Sequence, residues 1–201
     1  RGDPVGAEDP KVNEGDVLRE LERCDALLTG HFLLSSGLHS RRYVQCALLF
    51  ADPARAERIG KALAKKAPSS VEVVVSPAMG GVLIGHEVAR ALGVPHFFAE
   101  RVDGKMALRR GFALRKADNV LIVEDVFTTG KSTQETVDLV TSLGGNVLAA
   151  LSVVRRGEKP LAVTVPHDSL LQLKIESFDP KDCPQCKEGV PAAKPGSRPQ
   201  L

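Results

Sequence analysis

The residues best suited to chemistry lie in one uninterrupted stretch, Val120-Leu-Ile-Val-Glu-Asp-Val-Phe-Thr-Thr-Gly-Lys-Ser-Thr133. An apolar strand runs into two adjacent carboxylates, Glu124 and Asp125, and then into a small hydroxyl-rich turn that opens a helix. A helix N-terminus offers unpaired N–H groups and the positive end of the dipole, so Thr128, Thr129, Gly130, Lys131 and Ser132 suit a phosphate monoester. Gly130 lets the backbone approach such a group closely. Ionised carboxylates only accept hydrogen bonds, so Glu124 and Asp125 can take the hydrogens of two vicinal ribose hydroxyls. One ribose 5-phosphate would bridge both parts. A nucleoside triphosphate P-loop would need a glycine five positions before Gly130, and Asp125 stands there, where its charge would repel a triphosphate. The plainer alternative is an ordinary strand-to-helix turn with acids and hydroxyls near an N-cap, and two carboxylates closing an apolar strand weigh against it.

The elements that must position this stretch follow from apolar spacing. Val17, Leu18, Leu21, Ala26, Leu27 and Leu28 approximate helical spacing and predict one amphipathic helix over 14–28, before Gly30. A second helix is expected over 53–66, with Asp52 as N-cap and Pro53 at the first helical position. Beyond it, short apolar runs at 71–75, 95–99, 120–123 and 147–154 read as strands, with helices over 81–92 and 131–143 between them. Gly144-Gly145 would stop the second of these helices, and 170–175 could add one more strand. This is the pattern of an α/β fold with an open parallel sheet flanked by helices. Such sheets bind ligands beyond the carboxyl ends of their strands, so the segments after Val75, Ala99, Val123 and Val154 are where chemistry is expected. Residues 1–13 read as a mobile arm and 180–201, with five prolines, as an irregular tail.

With 201 residues and 43% hydrophobic content, the chain suits one compact domain. Its 27 basic against 25 acidic residues exclude a coating of nucleic acid or an anionic membrane surface as the main partner. No run approaches the roughly 18 apolar residues of a membrane span, and 1–16 is too polar for a secretory signal, so a cytoplasmic protein is expected. Of the cysteines Cys24, Cys46, Cys183 and Cys186, the last two form Cys-Pro-Gln-Cys, the spacing of half a zinc site. The other half would have to be recruited from Cys24, Cys46 or His167, and a redox pair should open a helix rather than sit among prolines. An incidental or locally structural pair is the expectation.

The 120–133 stretch resembles the phosphoribosyl pyrophosphate signature of type I phosphoribosyltransferases: four apolar residues, two acids, then a Thr-rich turn with Gly. The resemblance implies a five-stranded parallel core under a small N-terminal hood, about 14–50. It also implies transfer of ribose 5-phosphate to a nitrogen, with pyrophosphate leaving and Mg²⁺ assisting, held mainly through substrate rather than by the protein. Ribose 5-phosphate would contact Glu124, Asp125, Val126, Phe127, Thr128, Thr129, Gly130, Lys131 and Ser132.

Other segments look like those of the orotate phosphoribosyltransferases. In 32–40, Ser36 and Gly37 match residues lining the base pocket, whereas Ser35 stands where relatives often carry lysine. Ser76-Pro-Ala-Met-Gly-Gly81 resembles the pyrophosphate loop, implicating Ala78, Met79 and Gly80, the last in place of a common lysine. The connection 100–112, longer than the about 2–6 residues such units need, resembles a mobile catalytic loop. There Arg101 and Lys105 would act on pyrophosphate, often across a homodimer interface, Met106 falls nearest a histidine of relatives, and Arg109 and Arg110 could instead begin the next strand. Arg156 matches an arginine that would grip the orotate carboxylate, with Arg155 as fallback and Thr128 nearby, while Asp125 would assist catalysis. A polar turn, a tight βα turn, an exposed charged hairpin and a solvated basic pair are the plain alternatives for these four segments. The resemblance spans about 21–158. Two other functions stay open: a transferase for a purine or other base, and a regulator that binds phosphoribosyl pyrophosphate without turning it over.

Overall fold

The run Val120-Leu-Ile-Val123 has no room for solvent on either side, and in the computed structural model all four residues are fully buried. The model describes residues 12–34 and 36–195. In chain order the elements are α1 (Glu14–Arg23), β1 (Leu27–Leu33), β2 (His39–Val44), α2 (Cys46–Leu49), α3 (Pro53–Ala64), β3 (Val73–Pro77), α4 (Gly80–Leu92) and β4 (His96–Val102). They continue with β5 (Lys105–Leu108), β6 (Asn119–Phe127), α5 (Lys131–Ser142), β7 (Asn146–Arg156), β8 (His167–Leu173), β9 (Ser177–Phe178) and α6 (Pro184–Lys187). The larger sheet has the order β5-β4-β3-β6-β7-β8. Five of its strands run parallel, as expected, and β5 pairs antiparallel with β4 at one edge.

Each face of this sheet is covered. On one side α1, α2, α3 and α4 bury Val17, Leu21, Leu49, Ile59, Leu63, Ile84 and Val88 against Val74, Leu121, Val123 and Leu151. On the other, α5 brings Val137 and Val140 onto Val75, Val120 and Ile122. Each such side chain contributes about 1.5–3 kcal/mol by leaving water. That sum fixes the middle of β6, and with it the position of the two carboxylates at its end.

The local capping rules hold where the sequence announced them. The Asp52 side chain accepts a hydrogen bond from the N–H of Ala54 at 2.9 Å, and Pro53 occupies the first helical position of α3. α5 ends at Ser142 and its last turn is closed by the N–H groups of Gly144 and Gly145. The single helix expected over 14–28 is corrected: α1 stops at Arg23, Asp25 turns the chain at φ 53°, and Leu27 already begins β1. β1, β2 and β9 form a second, three-stranded sheet. Within the expected irregular tail, α6 forms and Ala193 bridges Phe32. The expected arm over 1–13 lies, but for Val12 and Asn13, outside the described residues. Among the described residues no helix is long and apolar enough to cross a membrane.

Candidate active site at the carboxyl ends of the central strands

β6 delivers its two acids to different neighbours, as successive residues of a strand should. Glu124 points at the start of α5, where it accepts hydrogen bonds from the Ser132 hydroxyl at 2.8 Å and from the Thr133 hydroxyl. It is only 9% exposed, and burial pushes its carboxyl up to about 7, against the pull of those two hydroxyls. Asp125 lies instead beside α4 and the small sheet. Burial raises its carboxyl too, opposed by the N–H of Val126, which donates to it at 2.9 Å. Gly80 is what makes room for it: a Cβ at that position would lie 2.5 Å from both Asp125 carboxylate oxygens. A lysine, or any side chain, at position 80 would have to displace Asp125.

The turn that follows is open at its tip. Thr128, Thr129 and Lys131 are exposed. Gly130 adopts φ 80° as N-cap of α5 and leaves the helix start without a side-chain cap. The Lys131 N–H donates to the Thr129 hydroxyl at 3.4 Å, and the other first-turn N–H groups supply what an anion uses at a helix start. Phe127 puts its ring into the core at 1% exposure, against His167 and the α5-side cluster, and Val126 packs on the opposite cluster. Ala78, Met79 and Gly80 connect β3 to α4, with Met79 84% exposed.

Arg156, at the end of β7, stands within electrostatic reach of Tyr43 on β2, and Tyr43 in turn feels Asp125. Burial raises the Tyr43 phenol, Asp125 adding to the rise and Arg156 opposing it. Burial likewise lowers the Arg156 guanidinium from its usual value, with Tyr43 opposing. Arg155 differs: it donates to the carbonyl of Lys159 at 3.3 Å, and its Nε is buried without a partner. Arg156 makes no salt bridge among the described residues, so of the two arginines it is the one free to meet an incoming anion near Tyr43, which also feels Asp125. Cys46 sits fully buried near the same carboxylate, its thiol held well above the usual range by burial first and Asp125 second. Tyr43 on β2 and Cys46 on α2 were not legible as site residues, because their approach to Asp125 comes from the tertiary fold and not from local spacing.

The remaining expected residues are less tightly gathered. Ser36 and Gly37 form the β1–β2 turn, where the N–H of Gly37 donates to Leu34 at 2.9 Å, while Ser35 lies outside the described residues. Arg101 and Lys105 sit on the β4–β5 hairpin, paired with Met106 and Val102 respectively. The Arg101 guanidinium donates to the carbonyl of Gly104 at 3.0 Å and to Glu135 of α5. Arg110 pairs with Glu100 at 2.8 Å in the turn after β5 rather than on a following strand. Among the described residues, no contact carries Arg101 or Lys105 to the chain's own Asp125. A shallow surface hollow on α5, lined in part by Asp138, Thr141 and Ser142, lies away from these strand ends and has no comparable set of charges.

The raised Glu124 carboxyl predicts a pH effect on stability. In the unfolded chain this group ionises near its ordinary 4.5, in the folded one near 7. Between those values folding takes up a proton, so its contribution is fully present below 4.5 and is lost as pH rises through 7. Relative to Glu124→Gln, the wild type should therefore lose on the order of 3 kcal/mol of unfolding free energy between pH 4.5 and 8. Urea unfolding of both proteins at the two pH values measures this, and parallel pH dependences would contradict it.

Comparison with known proteins identifies the family. A family model described as "Phosphoribosyl transferase domain" matches residues 47–180. The chain is 51% identical over 176 residues to a protein named orotate phosphoribosyltransferase from Carboxydothermus hydrogenoformans, covering 86% of this chain and 92% of the relative. It is 49% identical over 179 residues to one of the same name from Thermotoga maritima, covering 89% and 96%. Among solved structures, the crystal structure of orotate phosphoribosyltransferase from Aeropyrum pernix matches with a TM-score of 0.66 and 25% identity, over 78% of this chain and 93% of that one.

Proposed function

The chain belongs to the phosphoribosyl transferase domain family, and from that premise we propose that it transfers ribose 5-phosphate from phosphoribosyl pyrophosphate to N1 of orotate. The products are orotidine 5′-phosphate, a pyrimidine nucleotide on the way to UMP, and pyrophosphate. The observation that carries the choice of base is Arg156: a half-buried guanidinium with no salt-bridge partner among the described residues, acting on the same Tyr43 that feels Asp125. Its fork suits the planar carboxylate of orotate, whereas a neutral purine would leave it desolvated and unpaired. The sequence similarity to relatives named orotate phosphoribosyltransferase agrees with that choice.

In this reading the 5-phosphate rests on the open N-terminus of α5 with Thr128, Thr129, Gly130, Lys131 and Ser132 around it. The ribose hydroxyls meet Asp125 on one side and Glu124 on the other. Glu124 already accepts from Ser132 and Thr133, so the sugar shares its remaining lone pairs or displaces the Ser132 hydroxyl. Pyrophosphate occupies the Ala78-Met79-Gly80 turn. As the bond from C1 to pyrophosphate stretches, positive charge grows on the ribose, and Asp125 is placed to stabilise it. Holding anionic orotate on Arg156 in line with C1 supplies the positional part of catalysis, so no protein nucleophile is needed.

Asp125 offers oxygen donors of the kind a hard cation takes, consistent with Mg²⁺ held mainly by diphosphate oxygens and supplying charge neutralisation to the leaving group. The position of Arg101 and Lys105 on a hairpin away from their own Asp125 supports a homodimer in which they serve the neighbouring site. A cytoplasmic enzyme accords with this chemistry.

Incubating the protein with phosphoribosyl pyrophosphate and orotate, with and without Mg²⁺, should yield orotidine 5′-phosphate only when the cation is present. Adenine, hypoxanthine and uracil in parallel should remain unconverted. Conversion of one of those bases instead would move the chain to another specificity, and binding of phosphoribosyl pyrophosphate without consumption would make it a regulator.

A further inference from the structure

The expected partners of Cys183 and Cys186, namely Cys24, Cys46 or His167, are not the ones the fold supplies. His31 on β1 and His39 on β2 face each other across the hairpin, and Cys183 and Cys186 close around them. One ligand atom from each of the four residues lies within 4.8 Å of every other. The His31 Nε2 atom is 2.8 Å from His39 Nδ1, 3.4 Å from Cys183 Sγ and 3.7 Å from Cys186 Sγ, and Cys186 Sγ is 3.2 Å from His39 Nδ1. We propose that these two histidines and two cysteines bind a structural zinc ion, which clasps the C-terminal segment to the small sheet.

The geometry fits the ion with little movement. Zn–N bonds of about 2.0–2.1 Å and Zn–S bonds of about 2.3 Å put the edges of a tetrahedron near 3.4 Å for N–N and 3.6 Å for N–S. The three nitrogen–sulfur separations already span that value, and the histidine nitrogens need to open by about half an ångström. The chemistry is equally specific. Two thiolates and two imidazoles are soft-to-borderline donors that favour zinc over magnesium or calcium, and two thiolates balance the charge of Zn²⁺. Four protein donors fill the shell, which makes the site structural rather than catalytic.

A second observation aims the cluster at a metal. His31 Nδ1 lies 2.7 Å from the carbonyl oxygen of Val190. A carbonyl only accepts, so Nδ1 carries the proton and Nε2 presents its lone pair to the cluster, the arrangement by which outer partners orient metal-binding imidazoles. His31 and His39 are 4% and 8% exposed.

The segment also lacks another reason to stay in place. Of residues 179–195, Cys183 alone is buried, and α6 is a single turn. Yet the segment is registered against β1 in detail: Ala193 exchanges backbone hydrogen bonds of 2.8 Å with His31 and Leu33, and the Gln185 amide donates to the carbonyl of Gly30 at 3.2 Å. With so little apolar burial, a metal crosslink provides the missing binding energy, as it does in small metal-held domains. Because β2 carries both His39 and Tyr43, the ion would also steady the strand that lies over Arg156.

Elemental analysis of the full chain, purified in buffers without added metal, should find about one zinc per chain. Metal-stripped protein titrated with Co²⁺ should show thiolate-to-cobalt charge-transfer absorption and tetrahedral d–d bands. Both signals should vanish in Cys183→Ser/Cys186→Ser and in His39→Asn, and persist in Cys24→Ser. Stripping zinc from the wild type should lower Tm by several degrees, with recovery on adding Zn²⁺ alone, so the assignment does not depend on any variant folding. A metal-free chain that fails to take up Zn²⁺, a Cys183–Cys186 disulfide in freshly purified protein, or zinc retained in the double serine variant would overturn the site.

Discussion

Arg156→Ala is expected to raise the KM for orotate about thirtyfold or more while changing the KM for phosphoribosyl pyrophosphate by no more than about threefold. Truncating one member of a desolvated, hydrogen-bonded charge pair costs about 2–5 kcal/mol, and every 1.4 kcal/mol is a factor of ten. The guanidinium is half buried and makes no salt bridge among the described residues, so the loss falls on the ligand it meets. Lysine should restore only part of the affinity, since a point charge cannot reproduce a two-pronged contact. Arg155→Ala should matter less, because that side chain is turned toward the carbonyl of Lys159. Steady-state kinetics with each substrate varied separately decides the matter. An orotate KM unaffected by Arg156→Ala would remove the physical basis for preferring orotate to a purine.

The second large effect concerns kcat. Asp125→Asn keeps the size of the side chain and removes the charge that faces the developing cation, so turnover should fall about 10²–10³-fold, in line with the loss of one preorganised electrostatic group. Gly80→Ala should imitate it from the other side. The new Cβ would begin 2.5 Å from both carboxylate oxygens, and the carboxyl must swing away or push the pyrophosphate turn aside. Both variants should still bind orotidine 5′-phosphate, since Arg156 is untouched. Unchanged turnover in Asp125→Asn would show that the carboxylate takes no part in stabilising the ribose.

The strand-turn-helix at 120–133 was readable because its signals are local. Four consecutive buried apolar residues set β6, and Gly130 with the hydroxyls around it sets the open start of α5. Asp52 and Pro53 announced α3 in the same way. What escaped depends on pairing between distant segments. Leu27 and Leu28 continue the helical spacing of α1, yet the left-handed turn at Asp25 releases them into β1, where they pair with Val44 and Tyr43. Missing that hairpin hid Tyr43 from the site and concealed the approach of His31 to His39. The same non-locality hid the destination of Cys183, whose histidine neighbour lies 152 positions away in sequence. The basic connection 100–112 was recognised by excess length, but its edge strand β5 needs β4 to exist and carries no periodic signal of its own.

The proposed function requires one sugar phosphate bridging the acidic end of β6 and the mouth of α5. Diffraction from crystals soaked in ribose 5-phosphate tests it most directly. The phosphate should lie on the first-turn N–H groups of α5 between Thr128 and Ser132, with the ribose diol against Asp125 and Glu124. A pocket that stays vacant at saturating ligand, or a sugar bound elsewhere on the chain, would contradict it.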